Sequence, residues 1–212
     1  MNGSRGKSSS PRNDQRVACM AQHLVSIQQA SFKEAWLTIG TFDGVHIGHQ
    51  EIVRGLAAGA KAEGAPAIVV TFHPHPAAVV RQQGGPHLLS MPDERAEYLQ
   101  EAGADVVITQ PFDQQIAGTN AEDFLGLLKK HLGFRHLWVG YDFALGHKRS
   151  GDIHRLSELA EQLDYQLQVV PAVHLHGQIV SSSRIRGLLR EGQVAKSAQA
   201  LGRWYKLTGE VV

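Results

Sequence analysis

The sequence predicts an α/β protein, a parallel sheet with helices on both faces. Three observations lead there. Short, nearly all-apolar runs recur along the chain, as strands buried on both faces require. Between them lie segments of about ten to fifteen residues with helical apolar spacing. Polar loops follow several of the apolar runs directly, and in open parallel sheets ligands bind beyond the carboxyl ends of the strands.

The elements are justified in order. Ala35-Trp36-Leu37-Thr38-Ile39-Gly40 is rich in β-formers and reads as the first strand. After His49 the apolar positions become Ile52, Val53, Leu56 and Ala60, which is helical spacing. Ala67-Ile68-Val69-Val70-Thr71-Phe72 is a second strand. Residues 91–102 are predicted helical, with Ser90 as the cap and Asp93 favourably placed in the first turn. Residues 105–109 form a third strand, and Thr119 with Glu122 forms a capping box ahead of Phe124, Leu125, Leu127 and Leu128. A strand at 136–140, a helix at 153–163 and a strand at 166–170 complete the alternation.

Size and composition bound the function. At 212 residues the chain is one domain of ordinary size with short appendages. Charged residues make up 19% and nearly balance, so no global basic field argues for nucleic acid. Residues 1–16 hold four basic side chains against one acidic one, and the body is mildly acidic. That polar, serine-bearing start predicts a disordered tail over residues 1–20 ahead of a domain at 21–200. No 18-residue apolar run or secretory pattern is present, so a cytoplasmic protein without a membrane span is expected. Cys19 is the only cysteine, which excludes an internal disulfide and any cysteine-rich metal site.

Four segments carry chemistry. Thr41-Phe42-Asp43-Gly44-Val45-His46-Ile47-Gly48-His49 puts two histidines at i and i+3 where a strand gives way to a helix. On a first helical turn both imidazoles share a face, beside free N–H groups and the positive dipole end, which favours a phosphate. Two exposed histidines at an ordinary helix start would satisfy the same spacing. Ser181-Ser182-Ser183-Arg184-Ile185-Arg186 gathers three hydroxyls and two arginines at another helix start, more than capping needs and suited to a polyanion. His73-Pro74-His75-Pro76 follows a strand; its prolines impose extended backbone and send the two rings apart, so it suits a rigid ligand wall better than a metal site. Gly140-Tyr141-Asp142-Phe143-Ala144-Leu145-Gly146 is a turn with an acid and two aromatics.

Residues 42–49 together with 180–186 resemble the paired signatures of the nucleotidylyltransferase superfamily. Residues 72–76 and 139–146 are similar to loops of one branch, the adenylyltransferase module of the bacterial bifunctional riboflavin kinase/FAD synthetase family. The resemblance runs from about residue 36 to the end of the sequence. Where that family usually has Ser-Ser-Thr, this chain has Ser181-Ser182-Ser183, which keeps the hydroxyl. Residues 205–212 resemble the first strand of the family's flavokinase domain, so residues 201–212 are expected to be its truncated start. The rest of that domain, with its Pro-Thr-Ala-Asn signature, is not in the sequence, and riboflavin phosphorylation is expected to be absent.

The resemblance implies a Rossmann-like sheet of nucleotidylyltransferase type and transfer of AMP from ATP to FMN, giving FAD and pyrophosphate. It implies ATP binding by Gly40, Phe42, Asp43, Gly44, His46, His49, Ser181, Ser182, Ser183 and Arg186. Catalytic work falls to His46, His49, Ser183 and Arg186, and Gly40, Phe42 and Gly44 would let the nucleotide approach the backbone. Asp43 is a candidate for orientation or metal contact. Flavin contacts are expected from His73, Pro74, His75, Pro76, Asp142, Phe143 and Gly146. Mg²⁺ is expected on nucleotide phosphates and water rather than in a protein cage. The partners are ATP and FMN, with no nucleic acid and no membrane. A sister adenylyl- or cytidylyltransferase for nicotinate mononucleotide or phosphopantetheine would keep the histidine and serine motifs but not the loops at 73–76 and 141–146. A class I aminoacyl-tRNA synthetase would need a longer, more basic chain. A non-catalytic flavin or nucleotide binder stays open, because sites rather than folds decide function.

Overall fold

The computed structural model describes residues 21–81 and 87–208. The tail expected at 1–20 lies outside the described residues, as do residues 209–212. Six parallel strands form one sheet: β1 (Gln22–Leu24), β2 (Trp36–Ile39), β3 (Ala67–His73), β4 (Val106–Pro111), β5 (His136–Gly140) and β6 (Gln166–Val170), in spatial order β1-β4-β3-β2-β5-β6. The predicted parallel α/β architecture is the observed one. β1 was not legible as a strand: Gln22-His23-Leu24 is short and mostly polar, and it pairs as an edge against β4.

Alternation along the strands explains why both faces are covered. Ile68, Val70 and Phe72 of β3, with Val106 and Ile108 of β4, pack under α5 (Ala121–Leu132) and α6 (Ile153–Leu163). Val69 and Val107 turn the other way, toward Val53 of α1 (Ile47–Glu63) and Ala96 and Leu99 of α3 (Pro92–Glu101). The buried face of α1 consists of Ile52, Val53, Leu56 and Ala60, the positions that the spacing predicts. Gly59 lets α1 lie against Trp36: a Cβ there would sit 2.0 Å from the indole.

Two predicted caps are corrected. The cap of α3 is Met91, whose N–H donates to Glu94 at 3.1 Å. Ser90 instead accepts the N–H of Gly44 at 3.0 Å. α5 is capped by Asn120, which accepts from Asp123 at 2.8 Å, while Thr119 closes the preceding α4 (Gln114–Gly118) by donating to Gln115. At α5 the side chain one position on has the geometry to reach the free helix N–H; at α3 the Glu94 side chain reaches back to the Met91 N–H instead.

The sheet positions the site through its order. The chain runs outward through β2, β3 and β4, then returns to the other side of β2 as β5. The carboxyl ends of β2 and β5 therefore flank a topological switch point, where open α/β sheets bind ligands. After β6, a small hairpin of β7 (His174–Leu175) and β8 (Gln178–Ile179) leads into α7 (Ser182–Arg190) and α8 (Val194–Leu201). Residues 205–208, the described part of the segment expected to form a strand, carry no regular secondary structure and lie against α3, where Thr208 Oγ1 donates to Glu94 at 3.0 Å.

Candidate active site

Between β2 and α1 the backbone turns through Phe42 (φ 47°), Gly44 (79°) and Val45 (38°). A β-branched residue at positive φ is strained and persists only where its surroundings over-determine it. They do so here, one carbonyl at a time. Thr41 O accepts from Thr71 Oγ1 (3.0 Å) and from Arg95 Nη1 (3.1 Å). Asp43 O accepts from Ser182 Oγ (2.8 Å), Gly44 O from Arg203 Nη2 (2.7 Å), and Val45 O from Gln50 Nε2 (2.9 Å).

The loop's outcome is a histidine pair. His46 is the cap of α1 and not part of its first turn, which corrects the expectation that both histidines are helical. Its Nδ1 accepts the N–H of His49 at 3.3 Å, so its own proton sits on Nε2. The two imidazoles stack with centroids 3.6 Å apart, and the edge of Phe42 meets the His49 ring at 5.1 Å. Burial pushes His46 down to about 4. Burial, then His46 and Arg95, hold His49 well below the usual imidazole range. Both rings are neutral at pH 7. His49 Nδ1 is buried without a protein partner.

α7 supplies the opposite wall. Ser181 caps it by accepting from Arg184 N at 3.3 Å, Ser182 braces Asp43, and Ser183 is exposed to the cleft without a hydrogen bond among the described residues. Arg186 Nη2 donates to Asp43 Oδ2 at 2.7 Å, and its Nε donates to His87 O at 2.8 Å. Gly40, Phe42, His46, His49, Ser181, Ser182, Ser183 and Arg186 all line one cavity of about 540 Å³. The N-termini of α1 and α7 both open onto it, so two helix dipoles and neutral N–H and O–H donors converge where an anion would sit.

Asp43 and Gly44 do not line it. Asp43 is fully buried, with its oxygens accepting from Leu89 N (2.9 and 3.1 Å), Ser90 N (3.2 Å) and Arg186. That leaves no face for a nucleotide or a metal, and the expected contacts are corrected to an internal brace. Gly44 is required by its turn: a Cβ there would lie 2.9 Å from Leu89.

A second cavity of about 690 Å³ adjoins the first, sharing Ile39, Gly40, Thr41, Asp142 and Phe143. Its wall is largely apolar, with Phe72, Pro76, Val80, Phe112, Ile116 and Phe124. Of the residues expected on the flavin side, Pro76, Asp142, Phe143 and Gly146 line it, and His75 lines the first cavity. His73 and Pro74 are exposed and line neither, because the alternation that turns Phe72 inward turns His73 out. The loop is also not extended throughout: Pro76 opens α2 (Pro76–Arg81), where a helix start accepts proline. Gly146 (φ 76°) has structural work as well, since a Cβ would come within 2.6 Å of Ala121 N.

Arg95 has no signature along the chain, yet it is fully buried and also donates to Thr71 Oγ1 (3.2 Å) and Phe72 O (3.0 Å). On a helix as polar as α3 it reads as a solvated side chain. Arg203 and Gln50 were hidden for a related reason: each joins backbone carbonyls of the loop to those at the end of α8, segments distant in sequence.

Residues 28–184 match a family model described as FAD synthetase. The bifunctional riboflavin kinase/FMN adenylyltransferase of Escherichia coli K12 is 32% identical over 188 residues, covering 88% of this chain and 60% of that protein. A FAD synthetase of Listeria monocytogenes is 30% identical over 190 residues, covering 89% of this chain and 77% of its own length. The chain thus spans about 60% of the length of the bifunctional relatives. A solved structure described as a macrolide-efflux protein from Streptococcus pneumoniae superposes with a TM-score of 0.75 at 24% identity, covering 87% of this chain and 62% of that one, a likeness of fold alone.

Proposed function

The chain belongs to the FAD synthetase family, and we propose that it transfers the adenylyl group of ATP to FMN, giving FAD and pyrophosphate. One observation carries the reading: a cleft lined by paired histidines and a serine-rich helix start opens into an apolar cavity across a shared wall of Ile39, Gly40, Thr41, Asp142 and Phe143. The first half suits a polyphosphate and the second a flat, largely apolar ring system. A phosphate ester bridging them would meet the ATP α-phosphorus near that wall.

In this reaction an oxygen of the FMN phosphate forms a bond to the α-phosphorus while the α–β bridging bond breaks and pyrophosphate leaves with the electron pair. The nucleophile is already anionic, so no strong general base is needed, and catalysis is alignment plus neutralisation of charge on the leaving group. His46 Nε2–H, Ser183 and the two helix starts would hold the ATP phosphates. Arg186, oriented by Asp43, sits beside them, and Phe72, Phe112 and Phe143 would pack the flavin. Among the described residues no cluster of three His, Cys, Asp or Glu side chains could hold a metal ion. In this reading Mg²⁺ would enter on the oxygens of ATP and water.

The test incubates the purified protein with ATP, Mg²⁺ and FMN and separates the products by chromatography. FAD and pyrophosphate in equal amounts are expected. Saturable flavin binding without FAD would refute the enzyme in favour of a binder. Faster AMP transfer to nicotinate mononucleotide or phosphopantetheine would refute the acceptor.

A further inference from the structure

We propose that Arg203 is a positioning residue that sets the histidine loop for adenylyl transfer; this rests on the adenylyltransferase reading above. Gly202 (φ 72°) turns the chain back at the end of α8, and Arg203 lands on the strained loop rather than in solvent. Nη2 donates to Gly44 O at 2.7 Å, and Nη1 donates to Val45 O at 3.1 Å and Leu201 O at 3.3 Å. The guanidinium plane lies over the Tyr98 ring, 3.6 Å from its centroid. Gln50 Nε2 donates to the same two carbonyls, Val45 O (2.9 Å) and Leu201 O (2.8 Å), so loop, α1 and α8 meet in one node.

Within that node Arg203 has work that no neighbour duplicates. Gln50 by itself keeps Val45 O satisfied, but among the described residues only Arg203 reaches Gly44 O, the carbonyl between the positive-φ residues Gly44 and Val45, two residues ahead of the His46 cap. Losing it frees the Gly44–Val45 peptide to relax, and His46 follows it by covalent connection. A lysine does not reproduce the fork: its ammonium is a single point donor, without the two separated Nη groups that reach Gly44 O and Val45 O or the planar cation that lies over Tyr98. The positive charge of Arg203 also disfavours a second cation on His46, consistent with a neutral donor there.

The experiment compares the full chain with Arg203→Ala and Arg203→Lys by steady-state FAD formation, thermal unfolding and hydrogen–deuterium exchange of residues 42–49. Arg203→Ala should lose ~10²-fold in kcat, the scale of a small misplacement of reacting groups, with KM for FMN moving less than ~3-fold. Its loop amides should exchange faster, and free guanidinium ion should restore turnover where ammonium does not. Arg203→Lys should recover stability but not full kcat. If Arg203→Ala stays folded with kcat within ~3-fold of the parent and unchanged loop exchange, the proposal is overturned. If the alanine variant unfolds, full activity in a folded Arg203→Lys overturns it instead. Should the unmodified chain make no FAD, the adenylyltransferase reading fails, and loop exchange in Arg203→Ala alone decides whether Arg203 sets the loop.

Discussion

Asp43→Asn keeps the shape of a fully buried side chain and removes its charge. In the native protein Oδ1 accepts from Leu89 and Ser90, and an asparagine oxygen can keep those bonds. Oδ2 faces Arg186 Nη2 at 2.7 Å and Leu89 N at 3.1 Å, and an amide nitrogen there meets two donors with a donor. The lost charge-assisted bond is worth roughly 1.5–3 kcal/mol, and the unsatisfied donors add roughly 1–3 kcal/mol. Arg186 is partly reached by solvent, which trims the sum, so a net loss of about 3 kcal/mol is expected. For a domain of this size that lowers Tm by about 6–12 °C. The assay is chemical unfolding of Asp43→Asn, Arg186→Met and the double variant. Because both substitutions act on one pair, the double variant should be little worse than Asp43→Asn alone, with a coupling energy of about 2 kcal/mol. Additive losses, or an Asp43→Asn protein as stable as the parent but unable to use Mg·ATP, would refute the brace and return Asp43 to the ligand side.

Further outcomes follow from the same geometry. His49→Ala should cost about 10²–10³ in FAD-forming turnover with the fold intact, the usual loss for one transition-state donor; unchanged turnover would remove His49 from the site. His46 is held near 4 in the folded chain against the ordinary 6.5, so between those values the unfolded state binds more protons and stability falls as pH falls. From pH 7 to pH 5 this contributes a loss of about 2 kcal/mol, and urea unfolding of His46→Gln should show a correspondingly flatter pH profile. Gly59→Ala adds a methyl into the Trp36 ring and should destabilise by about 1–3 kcal/mol despite alanine's better helix propensity; a stabilised variant by thermal unfolding would contradict the packing of α1.

The regular elements were legible because burial leaves a period in the sequence. β5, α6 and β6 occupy the residues that alternation and helical spacing mark, and the buried face of α1 is the predicted one. β1 and the β7–β8 hairpin escaped because their residues are few and polar, and nothing but pairing makes them strands. At the site, residue type identified which segments gather but not which atoms face the cleft. By chemistry Asp43 looks like a metal contact and Ser182 like a phosphate ligand; their hydrogen bonds turn them toward the protein. Phe112, Val80 and Phe124 line the apolar cavity, yet along the sequence they have the same signature as core. His73 and Pro74 carried the opposite error, a conspicuous motif whose backbone direction points it outward.

The charge state of the cleft carries one more consequence. His46 and His49 are neutral at pH 7, and Arg186 is already paired with Asp43, so the cleft attracts an anion mainly through helix dipoles and uncharged donors. A polyphosphate placed against His46 reverses the balance that burial set. One full charge at about 4 Å contributes roughly 4 kcal/mol at an effective dielectric of 20, which favours a second proton on His46; that proton goes to Nδ1, which must then release the His49 N–H it caps. Nucleotide binding should then take up protons, and the imidazolium so formed lies beside the phosphates on which charge grows during transfer. Calorimetric titration with ATP at pH 6, in buffers of different ionisation enthalpy, should return an uptake on the order of half a proton, and His46→Gln should reduce it. Binding with no buffer dependence at pH 6 would mean that the histidines act as neutral donors throughout, and that neutralisation of the leaving pyrophosphate comes from Arg186, the helix starts and Mg²⁺ alone.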